Sequence, residues 1–414
     1  MNLSTQWLPK IPTGWQIANP KSLFSERNQK STVTDIHLTP SQKYGVLPQS
    51  EYMEITSGSV VLNLTGSDNM KHVEKNDFII HLRSFQGGIE HSNYSGKVSN
   101  AYCVLRPNRE IEPRFFRWVL KSQGYIQELN ATTDQLRDGQ SIKFEQFASI
   151  GLPLPPIEEQ RRIAEYLDKQ MSQFESLIEL KTRQIDKNRQ LVGSEFAEIF
   201  LKPTQNSIPL KRLLLDEQIG IWGDEPGENE LDLTVARVSD FNRLTFTLDD
   251  ATTIRSVTRN QFKSRKVSKG DLLLERSGGG EKSPVGCAVY VTKDIEYLVS
   301  SNFVSRLRPA PNVSGRYLSF LFAALYMTGQ QTPHSSQTTG IQNLDTESYF
   351  QTKVPQLDLE QQIKLTEKAE KILFDVSHVN SRIESSIEKY RELRISIIAS
   401  AVNGEVVNRE GMSK

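Results

Sequence analysis

Cysteine is nearly absent. Cys103 and Cys287 stand far apart, with no Cys-x-x-Cys, which argues against a disulfide framework or a thiolate zinc site and fits a reducing compartment. Net charge is absent too: 50 Lys+Arg balance 50 Asp+Glu. That excludes a wholesale basic DNA-coating protein and an acidic disordered tail. It leaves room for a DNA reader, because local patches outweigh the sum. Long apolar runs are missing; one of the longest, Phe320 to Met327, is far short of a membrane span of about 20 residues. The opening Met1-Asn2-Leu3-Ser4-Thr5-Gln6 lacks the basic-then-apolar order of a signal peptide. A soluble, cytoplasmic chain with no membrane partner is expected. Its 414 residues suggest two or three domains.

Recognisable catalytic chemistry is also missing. Ser277-Gly278-Gly279-Gly280-Glu281-Lys282-Ser283 has a phosphate-loop flavour but lacks the Gly directly before the Lys, so it reads better as a turn after a strand. No Gly-x-Gly-x-x-Gly opens a helix after a strand. There is no Asn-Pro-Pro-Tyr or Asp-Pro-Pro-Tyr of the amino-methyltransferase kind, and no Gly-x-Ser-x-Gly elbow. The six histidines, His37, His72, His81, His91, His334 and His378, lack metal-ligand spacing. No metal site, no cofactor in this chain and no catalytic residue are expected.

What the sequence does have is a repeat. Ser99-Asn100-Ala101-Tyr102-Cys103-Val104-Leu105-Arg106-Pro107 recurs as Ser301-Asn302-Phe303-Val304-Ser305-Arg306-Leu307-Arg308-Pro309, 202 residues on. The same offset places Arg114 on Arg316, Pro153 on Pro355, Glu158 on Glu360, Gln160 on Gln362, Lys187 on Lys389 and Leu191 on Leu393. Asn76-Asp77-Phe78-Ile79-Ile80 resembles Gly270-Asp271-Leu272-Leu273-Leu274 at a shorter offset, as loop insertions would give. The chain reads as globe, helix, globe, helix.

The helices carry the clearest periodicity. After Pro155-Pro156, Glu158-Glu159 puts negative charge in a first turn. Apolar residues follow at Ile163, Leu167, Met171, Phe174, Ile178, Ile185, Val192, Phe196 and Ile199, alternating three and four as in a coiled-coil seam. Lys181 and Asn188 interrupt it in register. Lys202-Pro203 is the expected stop. The second helix starts near Asp358, carries Leu365, Ala369, Leu373, Val376, Val379, Ile383, Ile387, Tyr390 and Ile397, and stops at Asn403-Gly404. A helix of about 40 residues, ~60 Å long, with one apolar stripe needs a partner stripe. The expected contact joins Leu167, Met171, Phe174, Ile178, Ile185 and Val192 to Ala369, Leu373, Val376, Ile383, Ile387 and Tyr390. Ordinary core helices are the blander alternative.

The expected fold class is α+β: two α/β globes joined by two long helices in an antiparallel coiled coil, an internal duplication with pseudo-two-fold symmetry. The divisions fall at 1–157, 158–202, 203–356 and 357–414. Strands are expected at Glu51–Ile55, Ser59–Leu64, Phe78–Leu82, Ala101–Leu105, Asp271–Glu275 and Cys287–Val291. Short amphipathic helices are expected at Arg114–Lys121 and Arg316–Met327.

Neither globe is basic overall: residues 1–157 carry 16 basic and 14 acidic groups, and 203–356 carry 17 of each. Yet Arg255, Arg259, Lys263, Arg265, Lys266, Lys269 and Arg276 cluster against Asp271 and Glu275 alone. Such a cluster either contacts phosphates or forms a solvated face. Two polar loops recur before the long helices. One holds Ser335, Ser336, Gln337 and Thr338; the other holds Gln135, Arg137 and Gln140. Both offer groups that can hydrogen-bond base edges. Lys282 follows the Gly-rich turn. The first globe adds Arg27, Lys30, Lys43, Arg83, Gln86 and Lys97. Arg83-Ser84 and Arg276-Ser277 each follow a strand and precede a glycine-rich turn.

Leu152-Pro153-Leu154-Pro155-Pro156-Ile157-Glu158-Glu159-Gln160-Arg161-Arg162-Ile163-Ala164 resembles the junction between a target recognition domain and the central spacer helix in specificity subunits of type I restriction–modification systems. Val354-Pro355-Gln356-Leu357-Asp358-Leu359-Glu360-Gln361-Gln362-Ile363 is similar to the second copy, with Asp358 in place of the second proline. Arg391-Glu392-Leu393-Arg394 through Ala401-Val402-Asn403-Gly404 resembles the family's last helix. The resemblance implies that 1–157 and 203–356 are target recognition domains, each reading half of a split sequence in double-stranded DNA. It implies that the helices set the spacing and dock two methyltransferase subunits, which restriction/translocase subunits join. S-adenosylmethionine and ATP are then expected on those partners. The rival is a coiled-coil scaffold that reads no DNA. A nucleotide-hydrolysing enzyme with a degenerate Gly278–Lys282 loop is a third. If the helices are the ruler, inserting four residues, about one turn, into both changes the preferred half-site spacing and leaves the half-sites unchanged. Selection from random duplexes checks this; altered half-sites at unaltered spacing contradict it.

Overall fold

The computed structural model describes residues 3–8, 10–56, 70–82, 87–132, 142–202, 206–280, 283–338 and 340–405. The chain divides into two compact units, Met1–Glu179 with Ser386–Lys414, and Leu180–Ser385. The division runs through both long helices.

In the first unit a four-stranded antiparallel sheet runs Phe24–Glu26, Cys103–Pro107, Phe78–Ile80, Glu90–His91. Phe78, Ile79 and Ile80 are all fully buried, so this strand has no solvent face. The helix Pro113–Lys121 covers the sheet. Pro113 preorganises its first turn, the Glu112 carboxylate accepts from the Arg114 N–H at 3.2 Å, and Phe115, Phe116, Val119 and Leu120 fall on its inward face. Gln16–Ala18 pairs with Leu152–Leu154, which closes the globe just before the first long helix. The expected strand at Glu51–Ile55 is instead part of the helix Gln49–Thr56. Pro48 ends the preceding strand, Glu51 suits a helical first turn, and Tyr52 stacks edge-on against Tyr44 rather than alternating across a sheet. The expected strand at 59–64 lies outside the described residues.

In the second unit a six-stranded sheet runs Leu214–Ile219, Val304–Pro309, Leu272–Glu275, Ala288–Tyr290, Thr247–Leu248, Phe241–Asn242. A three-stranded sheet of Thr253–Val257, Leu231–Ala236 and Leu298–Ser300 has its own small apolar cluster. The helix Gly315–Met327 buries every side chain from Tyr317 to Leu325. Ser207–Pro209 pairs with Lys353–Pro355, again just before a long helix.

The long helices are Ile157–Phe200 and Leu359–Val402, 44 residues each. In the first unit Ile163, Ala164, Leu167, Met171 and Phe174 share one core with Ala401 and Val402, and Phe174 stacks on Tyr390 at 6.0 Å. In the second unit Val192, Phe196, Phe200 and Ala369 belong to the globe's core, with Leu373 and Val376 packed on it. Ile185, Ile383 and Ile387 are buried and Ile178 is half-buried. Asn188, an interruption in the stripe, donates to Asn380 Oδ1 at 2.7 Å. Gly404, at φ +78°, ends the second helix against Pro12 and Trp15.

Two local arrangements occur once in each unit. Gln160 Oε1 accepts from the Glu112 N–H at 2.9 Å and its Nε2 donates to the Pro155 carbonyl at 2.8 Å. Gln362 does the same with the Ser314 N–H at 2.8 Å and the Leu357 carbonyl at 3.0 Å. Each glutamine is 2% exposed. The second arrangement is a tight turn into the central strand, with Asn76 and Gly270 at positive φ. Asp77 and Asp271 each accept a backbone N–H from three residues earlier, at 2.8 and 2.9 Å, and each grips an arginine through two hydrogen bonds, Arg27 and Arg308.

His91, buried on Phe78, generates a pH prediction. Burial, helped by the Arg117 and Lys75 charges, pushes its pKa down to about 4. The folded imidazole is therefore neutral where the unfolded one protonates, so stability is lost as pH falls from about 6.5 towards 4. Between pH 7 and pH 5 the first unit loses about 2 kcal/mol through this group. Urea midpoints at the two pH values check it; His91→Gln shrinks the difference, and an unchanged difference contradicts the assignment.

Candidate nucleic-acid interface

The Gly-rich turn and the polar loop of the second globe form one element. Ser277–Gly278 pairs antiparallel with Ile341–Leu344, which pairs with Ser335–Thr338 in a hairpin turned at Gly340. The segment expected as a loop at 332–342 is thus a short 3-10 turn followed by that hairpin. The edge of Ser277–Gly278 supplies the backbone partners that turn a polar loop into a strand. The Ser277 hydroxyl donates to Asn343 Oδ1 at 2.5 Å, and Gln342 Oε1 accepts the Val285 N–H at 3.2 Å. Gly279 lies so close to Val285 that a Cβ would sit 2.8 Å from its nitrogen. Ser336 and Gln337 are exposed, Ser335 and Arg276 half-buried. The side chain of Thr338, and Lys282 altogether, lie outside the described residues.

Beneath the turn lies an ion pair between a buried carboxylate and a half-buried arginine. Glu275, 1% exposed, accepts from Arg243 Nη2 at 2.6 Å, and Arg243 Nη1 donates to the Tyr326 hydroxyl at 2.8 Å. Burial raises the Glu275 pKa, and Arg243 offsets part of that rise. The arrangement anchors the start of the turn to the globe. The neighbouring Cys287 thiol is pushed up to about 12 by burial, and Cys103 likewise, so both stay protonated at neutral pH and neither suits a nucleophile.

The basic cluster looks different in three dimensions. Strand pairing lays the stretch holding Asp224, Glu225, Glu228, Glu230 and Asp232 beside Thr253–Val257. Arg255 pairs with Glu225 and lies over the Trp222 ring at 4.7 Å. The main-chain N–H of Arg259, at the start of the following helix, donates to Glu230 Oε2 at 2.7 Å. Counting charges along the sequence missed these acids because they come from the neighbouring hairpin arm. Arg265 is half-buried, with Nη1 donating to the Ser264 hydroxyl at 3.0 Å, whereas Lys263 and Lys266 are exposed.

The candidates of the first globe scatter. Arg27 is buried and held by Asp77 at 2.7 Å and Glu74 at 2.8 Å, so it is a structural cation of the sheet edge rather than a surface one. Lys97 is 8% exposed. Lys30 and Lys43 are exposed, Lys43 over the Tyr44 ring at 4.8 Å. Arg83, Gln86, Gln135, Arg137 and Gln140 lie outside the described residues. Among the described residues, no group of His, Cys, Asp and Glu is arranged to hold a metal, and no helix is long and apolar enough to cross a membrane.

Residues 12–187 match the type I restriction modification DNA specificity domain. The EcoKI specificity subunit of Escherichia coli K12 is 22% identical over 422 aligned residues, covering 96% of this chain and 90% of that protein. Residues 12–187 thus carry a type I specificity domain, and the chain is similar over nearly its whole length to a type I specificity subunit. The StySPI specificity subunit of Salmonella potsdam, a further relative, is 21% identical over 96% of this chain and 90% of its own length. The fold agrees. A solved chain from work on complex assembly and conformational transition of a type I R-M system superposes with TM-score 0.68, covering 95% of this chain and 99% of that one at 17% identity. The HsdS subunit of Thermoanaerobacter tengcongensis gives 0.50 over 95% and 98% at 16% identity.

If this face meets DNA, the exposed Lys263 and Lys266 and the compensated Arg255 behave differently. Lys263→Gln with Lys266→Gln weakens binding to all duplexes alike and lowers the salt slope by about one for each phosphate no longer neutralised. Arg255→Gln leaves the slope nearly unchanged. Affinities at about 50 and about 200 mM salt check this; a larger effect from Arg255 contradicts the placement.

Proposed function

We propose that this chain is the DNA sequence-recognition subunit of a type I restriction–modification complex. It reads an asymmetric bipartite site, one half with each globe, and docks the methyltransferase and restriction subunits. The observation that carries the reading is the same buried glutamine arrangement at the start of both long helices, 202 residues apart, in a chain similar over nearly its whole length to a type I specificity subunit. It supports an internal duplication with pseudo-two-fold symmetry, in which residues 1–157 and 203–356 are the two readers. The strand order supports it too, since Cys103–Pro107 and Val304–Pro309 hold the same position between an edge strand and the buried strand.

The helices act as an antiparallel coiled-coil spacer. Two readers on one face of B-DNA must stand about one helical turn (~34 Å), or a multiple of it, apart, and a stiff helix pair sets such a distance. The apolar stripe and the stack of Phe174 on Tyr390 favour the pairing. The spacer also offers the docking surface for two methyltransferase subunits, which restriction/translocase subunits join. The chain itself is non-catalytic: S-adenosylmethionine and ATP belong to those partners.

In the second globe the exposed Ser336 and Gln337 read base edges, Ser335, Thr338, Arg276 and Lys282 support them, and Lys263, Arg265 and Lys266 contact phosphates. A hairpin of this size fits the major groove, where donor and acceptor patterns distinguish all base pairs. In the first globe Lys30, Lys43, Arg83, Gln86, Gln135, Arg137 and Gln140 take the corresponding part.

The test is binding by the chain purified with its methyltransferase subunits. A split site is bound about a thousandfold or more tighter than random duplex, with strong salt dependence. Gln337→Ala relaxes selectivity about tenfold at one position of one half-site and leaves the other half-site alone. Binding without sequence preference would favour the scaffold reading.

A further inference from the structure

We propose that Gln160 and Gln362 are positioning residues for DNA readout. Each locks a globe to its own long helix, so that hydrogen bonds as well as helix length fix the gap between half-sites. This rests on the DNA-reading assignment above.

Each glutamine ties three chain segments with one side chain. It stands in the first turn of a 44-residue helix. Its oxygen takes the N–H at the N-cap of the globe's covering helix, Glu112 before Pro113–Lys121 and Ser314 before Gly315–Met327. Its nitrogen holds the segment leading into the long helix, at Pro155 and Leu357. Gln362 donates also to the Asn312 carbonyl at 3.3 Å. The rest of the globe-to-helix contact is apolar packing, through Ile163, Ala164 and Leu167 in one unit and Phe196, Phe200 and Ala369 in the other, bordered by partly exposed polar pairs: Arg117 Nη2 and Trp118 Nε1 donate to Asp168 Oδ1 at 2.6 and 2.8 Å, and Arg316 Nε donates to Glu370 Oε1 at 3.2 Å.

Apolar contact is non-directional and tolerates sliding and small rotations. A buried amide with both ends engaged does not, because a rotation leaves a donor or acceptor unpaired in a dry site. The lever is long. A helix of 44 residues spans ~66 Å, so a tilt of about 5° at its base moves its far end by about 6 Å. That exceeds the ~3.4 Å step of one base pair. Small errors at the globe therefore become whole base pairs in the gap, and two equivalent amides stand where that error would arise. A methionine would fill the same space and bury as well, so packing alone does not require glutamine.

The experiment uses the full chain in complex with its methyltransferase subunits and a pool of random duplexes. The unaltered complex selects a split motif with a narrow gap. Gln160→Met and Gln362→Met, made singly, keep both half-sites and lose about tenfold of the preference for that gap over gaps one base pair shorter or longer. Val104→Ala, a cavity in a separate apolar cluster of the first globe, lowers Tm comparably and keeps the gap. A narrow gap in both methionine variants overturns the proposal and leaves DNA reading standing. Equal broadening by Val104→Ala also overturns it, since general loosening would then suffice. Selection of no split motif by the unaltered complex overturns DNA reading and this proposal together.

Discussion

Neither globe closes its core without the long helices. In the first unit Ile163, Leu167, Met171 and Phe174 complete the apolar interior that Phe24, Phe78 and Phe116 begin; in the second, Val192, Phe196, Phe200 and Ala369 do the same for Leu272, Leu307 and Phe320. This is a hydrophobic constraint before it is anything else. A single stripe on a 44-residue helix has too little partner surface in isolation. The globes cover its ends, and the second helix borders it within each unit. A helix that is also part of the folding core cannot swing freely against the globe it completes, as the proposed ruler requires.

The buried polar groups add direction to that adhesion. Asp77 with Arg27, and Asp271 with Arg308, pin the turn into each central strand. Glu275 with Arg243 and Tyr326 anchors the turn beneath the hairpin. Such groups contribute little net stability, since burying charge costs nearly what pairing returns. Their value lies in geometry: each admits one orientation of the segments it joins. The exposed Ser336 and Gln337 then project from a base that is held in place, as the proposed readout demands.

The two long helices were legible in the sequence because they rest on long-period signals. The 202-residue repeat, the three-four alternation and the Asn403-Gly404 stop each survive local variation, and both long helices start within one residue of where their sequences suggest. Short-range features were less legible. Glu51 to Ile55 reads as a strand on composition, yet Pro48 and the following turn make it helical. The candidate site suffered most, because charge is a three-dimensional quantity. Along the sequence Arg27 reads as available, yet the sheet brings Asp77 and Glu74 to it; the stretch around Arg255 reads as basic, yet strand pairing lays the 224–232 acids alongside. The hairpin at 335–344 was invisible to propensity because its partner strand lies more than fifty residues away.

The central claim is that this chain chooses where a methyltransferase acts. The measurement that tests it most directly is genome-wide mapping of methylated adenines in the source cell, with and without this gene. The account predicts that deletion removes one asymmetric motif of two half-sites at a fixed gap, and that restoring the gene restores it. An unchanged methylome, with the chain still co-purifying with a methyltransferase whose modification is present, would contradict it.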